Sequence, residues 1–160
     1  MNPITLEQYF AKYKDSPDIT PAVRKNAEKL LNAVNEARRL ASLDGVQFEV
    51  NPSTGNYISG QGNGGFREQA CVVGAPKSTH KTGEGIDNYD LNTQFARWCY
   101  TNGRILEELG LTMEDHRWTP SWVHLQSRPP GGPEAEWRLD YIPNTTTPLC
   151  KPLPEQGIRK

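Results

Sequence analysis

The sequence predicts an α+β domain, a small mixed or antiparallel sheet with helices packed on one face. Three features carry this reading. A long run with helical periodicity occupies the first third of the chain, and short alternating runs of apolar and polar residues follow it. The order helix, strands, helix, strands does not repeat a βαβ unit, which argues against a doubly wound parallel sheet. At 160 residues the chain fits one domain, residues 1–160, with its core over about 20–142 and a proline-rich tail beyond.

Each element has its own signal. Leu6, Phe10 and Tyr13 fall at helical spacing in a short amphipathic piece that ends in a loop at Ser16-Pro17. Thr20-Pro21 reads as an N-cap with proline in the first turn. Val23, Ala27, Leu30, Leu31, Val34, Ala37, Leu40 and Ala41 then mark the inward face of a helix over 22–43. Lys25, Glu28, Lys29, Asn32, Glu36 and Arg39 mark its outer face. Val46-Gln47-Phe48-Glu49-Val50 alternates as a half-buried strand does, and Tyr57-Ile58-Ser59 is a second, shorter candidate. Asp90 is placed to cap a helix carrying Phe95, Trp98, Ile105, Leu106 and Leu109 inward, closed by Gly110. Trp122 to Gln126 reads as a strand, and Arg128 to Pro133 as a loop. Trp137 to Ile142 is expected to add a last strand before the irregular tail from Pro143.

Composition narrows the function. With 18 basic and 19 acidic residues and no Lys/Arg cluster, nucleic acid is not an expected partner. No apolar run approaches the ~18 residues that a membrane span needs, and the N-terminus has no basic start followed by an apolar block. Cys71, Cys99 and Cys150 form no CxxC pair, so reduced thiols are expected rather than disulfides or a thiolate zinc cluster.

The chemistry concentrates in two short stretches. Ser78-Thr79-His80-Lys81-Thr82-Gly83-Glu84-Gly85-Ile86-Asp87 sets an imidazole and a carboxylate seven residues apart across two glycines. Trp122-Val123-His124-Leu125-Gln126 supplies a second imidazole. Strand alternation puts Asp87 on the face opposite Ile86, and His124 on one face with Trp122 and Gln126. Two neighbouring strands can therefore aim Asp87 and His124 into one cleft, with His80 brought in by the preceding loop. Two histidines and one aspartate suit zinc and leave a fourth position open. Spacing alone does not choose between this metal cleft, on the sheet face away from the helices, and ordinary hydrogen-bonded side chains.

Read with their neighbours, these residues resemble the M15-type zinc peptidases, which include D-alanyl-D-alanine carboxypeptidases and phage endolysins. The family pattern Ser-x-His-x-x-Gly-x-Ala-x-Asp is matched by Ser78, His80, Gly83 and Asp87, with Gly85 at the alanine position. Gly65-Phe66-Arg67 resembles its Gly-Tyr-Arg, Gly74-Ala75-Pro76 its small-residue lead-in, and Trp122-Val123-His124 its Trp-x-His. The likeness runs from about Thr20 to Gln126, and the downstream run to Pro130 is most similar to small phage-encoded members.

The resemblance implies His80, Asp87 and His124 as zinc ligands and Arg67 as the group that meets the substrate or the developing oxyanion. It implies substrate contacts from Ser78, Trp122 and Gln126, which read by themselves are equally a turn residue and strand residues of the core. The implied activity is cleavage of peptidoglycan peptides by a monomeric metallopeptidase, made in a host bacterial cytoplasm and acting at the wall after release, or carried in a virion. One departure stands out. Where the family places a glutamate three residues before its last histidine, this chain has Ser121, which has no useful basicity near neutral pH. Glu84, Glu114 and Asp115 lie nearby in sequence without that spacing. A non-catalytic, zinc-stabilised virion module of the same fold is therefore the alternative expectation.

Overall fold

A computed structural model describes residues 1–116 and 118–128. Over these the chain is α+β. Helix α1 (Leu6–Phe10) runs into a 3-10 turn (Ala11–Tyr13), followed by the long helix α2 (Pro21–Leu43). A second 3-10 turn (Thr79–Thr82) leads into strand β1 (Gly85–Tyr89). Helices α3 (Gln94–Thr101) and α4 (Gly103–Glu108) precede strands β2 (Thr112–Met113) and β3 (Trp122–Gln126). The strands pair antiparallel in the order β1-β3-β2. The expected strand at 137–142, the tail from Pro143 and Cys150 lie outside the described residues. Cys71 and Cys99 are both free thiols.

Helix α2 starts as its sequence dictates. The Thr20 hydroxyl accepts a bond from the Val23 amide at 3.2 Å, and Pro21 occupies the first turn, where a missing N–H is harmless. The buried face carries Val23, Ala27, Leu30, Leu31, Val34, Ala37 and Ala41. Arg38, which the periodicity did not single out, is buried on the same helix with no exposure at all. Its guanidinium lies 4.8 Å from the Phe48 ring centroid and 4.3 Å from that of Tyr57. Nη1 reaches the Asn2 carbonyl and Asn35 Oδ1, whereas Nε and Nη2 have no partner. Burial drags its pKa down to about 10. Two aromatic faces thus hold the 46–57 segment against α2 by cation–π attraction.

The core begins earlier than the expected boundary near residue 20. Ile4, Tyr9 and Phe10 are buried, and Asn35 clamps Ile4 by bonds to both its amide and its carbonyl, at 2.8 and 2.9 Å. A capping box between Thr5 and Gln8 starts α1. The short spacing signal of Leu6, Phe10 and Tyr13 understated this segment, because its main anchor is a side chain of α2.

Two further expectations change. Residues 46–50 form no strand: Phe48 packs against Phe95 at a centroid distance of 5.0 Å, but the backbone joins no ladder. Alternation reports a half-buried extended chain, and a strand also needs a free sheet edge. The outer edge of β1 is taken by 57–64, through Ser59 N–H to Asp87 O, Asp87 N–H to Gly64 O and Tyr89 N–H to Tyr57 O. The helix expected from Asp90 to Gly110 is two helices broken at Asn102, whose side chain bonds the Trp98 carbonyl. The Asp90 carboxylate bonds the first turn, accepting from Phe95 N–H at 3.0 Å and Ala96 N–H at 2.8 Å, but from outside the helix, whose N-cap is Thr93 with φ +57°; Gly110 closes it with φ +70°.

Because this buried cation has no carboxylate, only ring faces and two long bonds from Nη1, Arg38→Met should be at least as stable as the parent in urea denaturation. Arg38→Ala, which also removes the packed stem, should lose about 2–4 kcal/mol.

Candidate metal centre

Strand register builds the centre. Asp87 sits directly opposite His124 across β1 and β3. The Asp87 amide and carbonyl bond Gly64 and Ser59 on the far side, so Asp87 and His124 form a non-hydrogen-bonded pair. In that kind of pair the side chains stand closest. Alternation places both on the face opposite Ile86, Val123 and Leu125, which belong to the hydrophobic core. His80 arrives from the 3-10 turn, which Ser78 opens by accepting the His80 amide at 3.4 Å. Gly83 closes that turn with φ +77°, and a Cβ there would lie 2.5 Å from the Val23 carbonyl of α2. Glycine is required at 83 on both counts.

The three side chains meet at one oxygen. His124 Nδ1 lies 2.8 Å and His80 Nε2 3.4 Å from Asp87 Oδ1. One donor atom from each residue lies within 4.8 Å of the others, and all three residues are buried, at 3, 9 and 6% exposure for His80, Asp87 and His124.

The outer contacts fix which atoms carry lone pairs. His80 Nδ1 is 2.6 Å from the Gly65 carbonyl, an obligate acceptor, so Nδ1 carries the hydrogen and Nε2 turns its lone pair to Asp87. Gln126 donates its amide N–H to the Arg128 carbonyl at 2.6 Å, which leaves its oxygen facing His124 Nε2 at 3.3 Å. Nε2 therefore donates, and His124 Nδ1 turns a lone pair inward. Burial pushes the His80 pKa below that of free histidine, against the pull of Asp87, so this ring is neutral near pH 7. Lone pairs converging on a carboxylate repel unless a positive centre lies among them. A buried His80, Asp87 and His124 group of this kind could hold a metal ion. In a tetrahedral site with bonds of ~2.0–2.1 Å the donors stand about 3.4 Å apart; the His80–Asp87 contact has that spacing, and the 2.8 Å His124–Asp87 contact would have to lengthen around an ion.

Second contacts support the same geometry, as metal ligands generally require. Arg67 Nη2 lies 3.0 Å from Asp87 Oδ2, so Oδ1 is the oxygen left for the centre. Arg67 also donates Nε–H to the Asn63 carbonyl and Nη1–H to the Val73 carbonyl. Expected to meet substrate, it is buried, with Nη2 on the Asp87 carboxylate and Nε and Nη1 on the two loop carbonyls. Gln126, expected to line a groove, is buried against His124 instead, and Trp122 is half-buried across from Tyr89.

Two residues went unremarked by motif reading. Thr79 Oγ1 lies 3.5 Å from His124 Nε2. A Cβ at Gly85 would come within 2.2 Å of that hydroxyl and 3.1 Å of His124 Cε1, so glycine at 85 makes room for Thr79. Tyr9 donates its hydroxyl to the Gly85 carbonyl at 2.9 Å, and its own carbonyl accepts the Phe66 amide. Burial pushes its phenol pKa far up. Neither residue could be found from spacing, since each meets a segment distant in sequence, Thr79 at the His124 ring and Tyr9 at the Gly85 carbonyl.

Compared with family models, with curated proteins and with solved structures, the chain finds no match; the residues and their geometry carry the functional reading.

Dialysed protein titrated with zinc should bind one ion per chain by calorimetry, and His80→Ala, Asp87→Ala or His124→Ala should abolish the binding. Gln126→Leu should weaken it ~10–100-fold, and Gly85→Ala should weaken it by displacing Thr79 and the His124 ring.

Proposed function

We propose that this chain is a zinc-dependent peptidase of bacterial peptidoglycan peptides, phage-encoded and used in lysis or wall entry. The observation that carries the reading is the convergence of His80 Nε2, Asp87 Oδ1 and His124 Nδ1, each oriented by a second contact. Two neutral imidazoles and one carboxylate form a donor set that favours zinc and leaves one coordination position for solvent or substrate. The resemblance of the Ser78–Asp87 and Trp122–His124 segments to zinc peptidases of the cell wall supports the substrate class.

When bound, zinc would supply a Lewis acid for the scissile carbonyl and bring the pKa of a water ligand to ~7. The chain's own residues do the rest. Arg67 occupies Asp87 Oδ2, which leaves Oδ1 to the centre. Gln126 and the Gly65 carbonyl hold the two rings in the tautomers that present lone pairs inward. Arg67 positions the carboxylate through Nη2, and its N–H groups beyond the three bonded to Asp87, Asn63 and Val73 are the ones that could serve a developing oxyanion. The open cleft needed by a polymeric substrate lies, in this reading, on the ligand-bearing face of the sheet.

A second reading keeps the metal and drops the turnover: a zinc-stabilised virion module. Ser121 favours it, as does the lack of a second carboxylate in the ligand group among the described residues. The absence of a positioned acid/base lowers rates by on the order of 10²–10⁴.

The readings part on one assay. Zinc-loaded protein should release free amine from purified peptidoglycan, and His124→Ala should release none; equal release by both would refute the peptidase. Ser121→Glu, which restores the family's spacing, should raise the rate by on the order of 10²-fold. Zinc binding with chelator-sensitive melting but no amine release by the parent protein would instead establish the module.

A further inference from the structure

A cavity of about 200 Å³ opens on the other side of the segment that holds His80. Gly65 belongs to both: its carbonyl receives the His80 ring, and its backbone lines the cavity. Tyr9 and Ile58 form a buried apolar floor. Thr54 and Asn56 on one wall are committed to their own turn, through bonds to each other and to the backbone of Ile58. The remaining lining groups are of another kind. Gln8 gives its oxygen to the Thr5 amide, which leaves its NH₂ as a donor. The Lys12 ammonium lies over the Tyr13 ring, 4.9 Å from its centroid, with no carboxylate partner among the described residues, and the side chains of Ser53 and Gln61 are exposed at the rim.

The backbone brings that ammonium to the rim. Ala11 holds φ +42°, ψ −119°, the shape of the first central residue in a type II′ turn and one that favours glycine. A non-glycine residue in that region persists only where its surroundings impose it. The next residue, Lys12, lies across Gly62, where an added Cβ would meet its Cδ at 3.5 Å and its Nζ at 3.9 Å. Gly62 itself has φ +100°. A strained alanine and a left-handed glycine thus combine to hold a lysine over a cavity whose remaining lining groups are mostly donors.

We infer that this cavity binds the free carboxylate end of a short peptide, one or two residues long, at a site separate from the metal centre. One cation and neighbouring amide and hydroxyl donors suit a single carboxylate, and the Tyr9–Ile58 floor suits a small aliphatic side chain. The volume is below the ~300–1,000 Å³ of sites for larger ligands. The site does not depend on zinc being bound or on turnover.

The test is amide-detected NMR titration with N-acetyl-alanyl-alanine, on zinc-loaded protein and on protein kept in chelator. Saturable shifts at Gln8, Lys12, Gln61 and Gly62 in both forms are expected. Lys12→Met should weaken binding at least tenfold, Gln61→Leu should weaken it less, and the C-terminal amide of the same dipeptide should bind at least tenfold more weakly. Both substitutions are at exposed positions, and an unchanged spectrum elsewhere will confirm the fold. Absent shifts at these residues would overturn the inference. So would equal binding of acid and amide, equal shifts with inorganic phosphate, or shifts confined to the metal-ligand side and lost in chelator. Peptidase activity, present or absent, leaves the outcome unchanged.

Discussion

The centre depends on the closeness of Asp87 and His124 in an antiparallel pair whose backbone bonds all point outward. Because the Asp87 amide and carbonyl are used by Gly64 and Ser59, the two side chains stand at the nearer of the two cross-strand spacings. A register slip of one residue would send one of them into the core with Ile86 or Leu125. The hydrophobic pattern of the strands, not the ligands themselves, fixes where the ligands go. The segment 57–64 has two duties: it closes the edge of β1, and its continuation supplies the Gly65 carbonyl for His80.

Around that pair the fold is arranged to keep charge ordered in a dry place. A buried carboxylate is unfavourable unless it is hydrogen-bonded and paired. Arg67 meets both needs at Oδ2, and Oδ1 is left facing the two rings. Arg67 in turn is fixed by two loop carbonyls, and the Gly74 backbone passes so close that an added Cβ would lie 2.6 Å from its Nη1. The contrast with Arg38 is instructive. That guanidinium is equally buried but has ring faces in place of a carboxylate, so it serves packing, whereas Arg67 serves a site.

Much of the arrangement could be read from the residues. The stripe of α2, the Thr20 cap and the Gly110 stop are local signals, and each produced the local structure it encodes. The facing of Asp87 and His124 followed from period-2 alternation. Other features could not be read this way. The alternation at 46–50 is real, but Phe48 packs on Phe95 and Arg38 without its backbone entering the sheet. The break at Asn102 comes from one side-chain bond to the preceding turn. The burial of Ile4, Tyr9 and Phe10 depends on Asn35 and on the 64–67 backbone, far away in sequence. The ring tautomers of His80 and His124 are set by Gly65 and Gln126, through contacts that spacing cannot express.

By itself the sequence determined the helix that backs the sheet, the strand faces and the chemical identity of the three converging donors, because periodicity and residue type act locally. Only the tertiary structure decided that Arg67 grips Asp87, that Gln126 holds His124, and that Gly85 leaves room for Thr79. Those outcomes depend on which carbonyls and side chains become neighbours after the chain has closed. Closure is a long-range packing event that no short window of residues encodes.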